Sequence, residues 1–226
     1  MNWVIENAGQ LVGQALVHLE LSIPPIVLSF VLSVPIGWVA NRFRWSRAVL
    51  LSIAGLLYAI PSLPLLITIP VLIGTVFADP INVIIALTLY GMALMVRSTA
   101  DALDAVDADV KQSATAVGFS AWKRFWQVEF PLAGPILLAG LRVVVVSTVS
   151  LATIGGVLGV NGLGLAFTDG LQRSIISEIV AGIVLVVVIA LVLDGLLVLL
   201  GRALMPWTRA TREPRLRARR KVVLAS

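Results

Sequence analysis

The sequence predicts an all-α, polytopic membrane protein with about five spanning helices, and three observations carry that prediction. Of the 226 residues 59% are hydrophobic and only 13% charged, with a mean hydropathy of +1.01, whereas a soluble domain is about a quarter charged. Several apolar runs exceed the roughly 18 residues that a helix needs to cross a bilayer, and they are too long for the strands of a membrane barrel, which run about 9–11 residues. The basic residues between these runs gather on alternate connections, as the positive-inside rule requires of a multi-pass chain.

In chain order, the spans are expected near residues 20–41, 49–76, 80–98, 132–158 and 177–202. The first twenty residues lack a basic start and carry Glu6, His18 and Glu20 among scattered apolar positions, so residues 1–19 read as an extracytoplasmic segment and not as a cleaved leader. The first two spans contain Pro24, Pro25 and Pro35, then Pro61, Pro64 and Pro70. Each removes a backbone donor and favours a kink. The cluster Pro61-Ser62-Leu63-Pro64 stands out, because two prolines three apart free carbonyls that a cavity can use. Arg42, Arg44 and Arg47 follow the first span, Lys111, Lys123 and Arg124 lie between the third and fourth, and residues 206–226 form a basic tail. With five spans these share one side, which places the C-terminus in the cytoplasm and the N-terminus outside. The tail arginines Arg215, Arg217, Arg219 and Arg220, with Lys221, suit anionic lipid.

The connection between the third and fourth spans, about residues 99–131, is far longer than an ordinary helix–helix link. Leu103, Val106 and Val110 repeat at helical spacing, and Asp101, Asp104 and Asp107 suit a helix N-terminus, so one helix is expected over 101–117. Gly118 closes it, Ser120 caps a second helix over 121–129, and Pro131 stops that one. The second helix carries Trp122, Phe125 and Trp126 on one face, opposite Lys123, Arg124 and Gln127.

These residues resemble a family motif. Gln112-Ser113-Ala114, then Gly118, then Val128-Glu129-Phe130-Pro131 is similar to the EAA loop of ABC importer permeases, with Gln112 and Ser113 replacing that family's first two residues. Arg97-Ser98-Thr99, Pro61-Ser62-Leu63-Pro64 and the glycine-rich stretch from Gly155 to Gly164 resemble osmoprotectant permeases of the glycine betaine, carnitine and choline type, over residues 15–205. The resemblance implies a permease domain over 20–205 of the type I importer fold in a bacterial plasma (inner) membrane. Gln112, Ser113, Ala114, Gly118, Trp122, Lys123, Arg124, Phe125, Trp126 and Pro131 would couple it to ABC ATPase subunits that bind the ATP and magnesium. It further implies a second permease copy or a sister permease and an extracytoplasmic solute-binding protein. Pathway or gate positions would be Pro61, Ser62, Pro64, Gly155, Gly156, Gly162 and Gly164; the glycines read equally as plain loop flexibility. Methionine and sulfonate permeases share the loop and are the alternative solute classes.

Other functions fit the residues less well. No Gly-x-x-x-x-Gly-Lys-Ser/Thr phosphate loop occurs, so the chain is not expected to be an enzyme that hydrolyses ATP, or to hold a cofactor. The absence of cysteine and a single histidine leave no thiolate zinc site. The basic residues are explained by membrane topology, and nucleic acid is not an expected partner. An ion-coupled secondary transporter is the main rival, but no internal repeat is seen. Arg142 and Asp194 fall inside spans, where charge is costly, so they either pair with each other or line the pathway. For a quaternary ammonium solute, Trp38, Tyr58 and Tyr90 supply ring faces.

Overall fold

The structure, a computed structural model, describes residues 2–210, and every regular element among them is helical. A short helix α1 (Asn2–Glu6) leads into α2 (Ala8–Arg42). At 1.5 Å per residue, the 35 residues of α2 reach about 52 Å, well beyond a bilayer core of about 30 Å. Residues 8–19, expected as a separate segment, are thus the N-terminal end of the first spanning helix. Leu11, Gln14, His18 and Leu21 form its buried stripe, and its polar His18, with Glu6 and Glu20, disguised that stripe as a non-spanning region. Three prolines sit inside α2 without ending it.

The second span is two helices, α3 (Arg44–Ala59) and α4 (Ser62–Ile73), bent by 100°. The cause is local: Ile60 precedes Pro61 and takes an extended conformation, ψ 126°, because the proline ring clashes with a helical predecessor. Next, α5 (Pro80–Asp104) starts at Asp79, whose Oδ1 accepts from the Ile81 amide at 3.0 Å, with Pro80 at the first helical position. It is the axis of the fold, packing on α2, α3, α4 and the helix that follows the long loop. Small residues allow close approach there; a Cβ on Gly37 of α2 would strike the Thr99 side chain of α5.

The helix expected over 101–117 is instead the end of α5 and a separate α6 (Ala108–Ala116). Asp101 and Asp104 therefore sit at a helix C-terminus, where the dipole disfavours them. Arg47 offsets this with ion pairs of 3.1 Å to Asp101 and 2.6 Å to Asp104, and the Asn41 amide also donates to Asp104. Asp107 caps α6 through the Asp109 amide at 2.8 Å. After the reversal, α7 (Ala121–Arg124) passes through a π turn, Phe125–Glu129, straight into α8 (Phe130–Ala152) and a 3-10 turn, Thr153–Leu158. Pro131 does not stop the helix; the widened π turn ahead of it accommodates a residue without an N–H.

A short helix α9 (Leu163–Gln172) occupies the region expected as loop, followed by α10 (Ile176–Leu204) and α11 (Trp207–Ala210). Counting the bent pair as one, five spans are long and apolar enough to cross a membrane. The most apolar window of α10 has no residue buried within the single chain, as expected of a helix facing lipid or another subunit. The basic tail beyond residue 210 lies outside the described residues.

Candidate functional site: the long loop and the broken span

Gly118 takes φ +93°, a left-handed conformation that side chains resist. The reversal it permits is closed by the Gly118 amide donating to Thr115 O at 3.0 Å and the Phe119 amide to Ala114 O at 3.1 Å. Ser120 then caps α7, its Oγ accepting from the Lys123 amide at 3.3 Å. α7, the π turn and α8 form one uninterrupted helical rod, which joins the loop directly to the fourth span.

The aromatic face divides in two. Trp122 is 62% exposed and Trp126 45%, while Phe125 is only 2% exposed. Phe125 packs at ring-centroid distances of 5.6 Å on Trp38, 5.0 Å on Trp126 and 5.8 Å on Phe130, within the apolar cluster formed by Val34, Met95, Leu103 and Leu137. It anchors α7 to the bundle: the three rings share one face, as expected, with Trp122 and Phe125 6.4 Å and Trp122 and Trp126 5.7 Å apart, but Phe125 lies on its inner edge against the bundle and does not project outward with the tryptophans. Trp38 belongs here too, with Trp122 at 6.1 Å, and not with the tyrosines.

Arg124, expected to be available to a partner, is engaged inside the chain. Its Nε donates to Glu129 at 2.5 Å and its Nη1 to Thr115 Oγ1 at 2.8 Å, binding α6 to the π turn. Glu129 is 3% exposed; the sequence reading quoted it within the motif without seeing that a buried carboxylate there demands a cation. Lys111 Nζ donates to Leu103 O at 2.7 Å, closing α6 onto the end of α5. Lys123 lies 4.8 Å over the Phe119 ring. Gln112, Ser113 and Lys123 remain exposed and Ala114 is half-buried. With Trp122 and Trp126, these give an exposed apolar and cationic surface.

At the far end, Gly155 and Gly156 are buried in the 3-10 turn, and Gly162 takes φ +142°. A Cβ on Gly156 would overlap the Gly164 backbone, and one on Gly164 the Thr153 carbonyl. The glycines thus fold the chain tightly on itself, which is more than loose loop composition. His18 Nε2 donates to Val149 O at 3.0 Å, tying α2 to α8 beside Gly162. The Pro61–Pro64 break is separate from this elbow; the two share the apolar cluster of Leu66, Ile69, Val83 and Val160.

Arg142 and Asp194 make a bidentate pair, 2.6 and 2.7 Å, between α8 and α10, so pairing holds of the two alternatives. The pair borders a cleft of about 420 Å³ with Val146 and Ser147. Tyr58 and Tyr90 meet edge to face at 6.3 Å, directly at the break.

The comparisons with known proteins agree with this architecture. The family model described as "binding-protein-dependent transport system inner membrane component" matches residues 33–209. The osmoprotectant import permease protein OsmW of Salmonella typhimurium is 32% identical over 201 residues, 87% of this chain and 93% of that protein. The ergothioneine transport permease/ergothioneine binding protein EgtU of Helicobacter pylori is 36% identical over 167 residues, 74% of this chain and 30% of that longer protein. Among solved structures, an inward-facing MetNI methionine ABC transporter chain superposes with a TM-score of 0.80 at 20% identity, covering 88% of this chain and 98% of the other, which fixes the fold as that of a type I importer permease. The chain belongs to the family of binding-protein-dependent transport system inner membrane components.

Proposed function

We propose that this chain is the permease subunit of an ATP-driven importer for osmoprotectants of the glycine betaine, carnitine and choline type. The observation that carries the solute class is the end-to-end match to an osmoprotectant import permease, supported by the same solutes in the names of further relatives. Two permease halves enclose the pathway, since five spans present too little surface to line one alone. ATP hydrolysis takes place on separate ATPase subunits, with magnesium, and an extracytoplasmic binding protein delivers the solute. The basic connections put the loop of residues 99–131 and the C-terminus in the cytoplasm and the N-terminus outside.

In this mechanism Trp122 and Trp126 insert into the ATPase, because exposed tryptophans are the strongest interface anchors, with Lys123 and Gln112 at the rim. Closure of the ATPase pair on ATP moves α7. The rod through Phe125 and the π turn transmits the movement to α8, and the arms held by Arg124 and Glu129 move as one body. The 3-10 turn at the far end of α8, folded on Gly156 and Gly164, opens or closes the outer side. ATP drives the change only through its differential affinity for the two conformations.

A second solute, ergothioneine, is favoured by the 36% identity to an ergothioneine permease. Both solute types carry a trimethylammonium group. Copurification of the chain with its ATPase, followed by competition of glycine betaine uptake by carnitine, choline, ergothioneine and methionine, tests the proposal. Competition confined to the trimethylammonium compounds is expected; competition by methionine alone would remove the osmoprotectant class.

A further inference from the structure

We propose that Tyr58 and Tyr90 form one half of a transient site for the trimethylammonium group of the transported solute, placed at the break in the second span. The inference rests on the solute class proposed above. The sequence contains only two tyrosines. They come from different helices, α3 and α5, and meet with ring planes at 82°, an arrangement that leaves a ring face open for a third group.

Depth is the first argument. Tyr90 lies ten residues inside α5 from Pro80, and Tyr58 fourteen residues along α3 from Arg44, distances of about 15 and 21 Å at 1.5 Å per residue. Measured from those helix starts, Tyr90 falls about halfway across a hydrocarbon core about 30 Å thick and Tyr58 about two-thirds of the way across it. Transported solutes are commonly held near the midplane, between interrupted helices.

Exposure is the second. Tyr90 is 6% exposed and its hydroxyl donates to the Ile60 carbonyl, in the extended link between α3 and α4. That bond holds the break open and fixes the Tyr90 ring. Tyr58 is 54% exposed, and its hydroxyl makes no hydrogen bond within the described residues. A tyrosine hydroxyl at that depth is poorly suited to hydrocarbon and well suited to a wet pathway.

The chemistry is the third. A trimethylammonium group presents a diffuse positive charge with no N–H to donate, so ring faces and carbonyl dipoles recognise it better than a carboxylate does. Neither α3 nor α4 carries an acidic residue. Such a site attracts the cation without trapping it, and makes no demand on the rest of the solute, so betaines and choline are equally accommodated. The second permease half supplies the facing wall.

The test uses the assembled permease–ATPase complex in nanodiscs, with tetramethylammonium as the probe and tert-butanol as its neutral counterpart, read by saturation-transfer NMR. Glycine betaine uptake is measured in parallel in liposomes that also receive the loaded binding protein. Tyr58→Phe keeps the ring and is expected to bind and transport as the parent does. Tyr58→Leu is expected to lower tetramethylammonium affinity and uptake roughly tenfold, with ATPase stimulation by the loaded binding protein unchanged. Tyr58→Met, similar in volume and without a ring, should behave as the leucine variant and covers the case in which leucine disturbs folding. Parent-level uptake in both ring-less variants, or tert-butanol binding as well as tetramethylammonium, overturns the site while leaving the solute class standing. Absence of any trimethylammonium uptake by the parent complex overturns both.

Discussion

Removing Arg124 should damage the coupling loop more than any other single change to its charged residues, and the structure sets the size of the effect. The guanidinium is 24% exposed at the side chain, whereas the Glu129 carboxylate it holds is 4% exposed. In Arg124→Ala that carboxylate is left buried and unpaired, a loss of about 3–5 kcal/mol, and Thr115 Oγ1 loses the Arg124 donor while keeping its own bond to Lys111 O. On about 2–4 °C per kcal/mol for a chain of this size, Tm falls by roughly 6–20 °C. Glu129→Gln keeps an acceptor for the Arg124 Nε–H and leaves Arg124 free to reach water, so its loss should stay near 1 kcal/mol. The double variant Arg124→Met with Glu129→Gln should recover most of the single-variant loss, because no buried charge remains. Thermal unfolding of the purified complex measures all three, and the solute carried per ATP hydrolysed should fall in Arg124→Ala as the two arms separate. Equal, small Tm shifts in Arg124→Ala and Glu129→Gln would show that the pair does not hold the loop together.

Trp122→Ala combined with Trp126→Ala should leave the Tm of the chain nearly unchanged and weaken capture of the ATPase in a pull-down. Phe125→Ala should do the reverse, losing about 3–5 kcal/mol of stability in the unfolding assay before any effect on ATPase affinity. Gly118→Ala, at φ +93°, should cost about 1–2 kcal/mol, whereas Gly55→Ala, with open space around it on α3, should be neutral or slightly stabilising in the same measurement. Arg142→Leu alone should lower the yield of membrane-inserted, monodisperse protein, and adding Asp194→Leu should restore it, since the second change removes the charge that the first leaves unpaired.

The spans were legible because apolar run length is a property of the chain alone, and the reversal at Gly118 because glycine followed by a capping serine has few other uses. The bend at Pro61 was visible in kind, as two prolines three apart, but its 100° angle depends on α4 packing against α5. What escaped was set by tertiary partners. Asp101, Asp104 and Asp107 looked like a helix start, and only Arg47, fifty-odd residues away, explains why two of them end α5 instead. Pro131 looked like a stop, and a π turn carries the helix past it. The first helix reaches further toward the N-terminus than expected because Glu6, His18 and Glu20 mark the region as polar, although His18 is fully buried against the bundle. In the loop the sequence placed the aromatic face but not its burial or its ion pair: Phe125 faces the core, and Arg124 is held by Glu129. A buried acid one turn beyond an arginine was the available signal for the second. The pairing of Tyr58 with Tyr90 had no sequence signal, since the residues lie on different spans.

ATP-dependent uptake of radiolabelled glycine betaine into liposomes, with this chain, its copurifying ATPase and the loaded binding protein, tests the central claim most directly. The account predicts accumulation that requires ATP inside the lumen facing the loop of residues 99–131, and that is lost when Trp122 and Trp126 are both alanine although the ATPase is still present. Accumulation that continues without ATP, driven by an ion gradient, would contradict it.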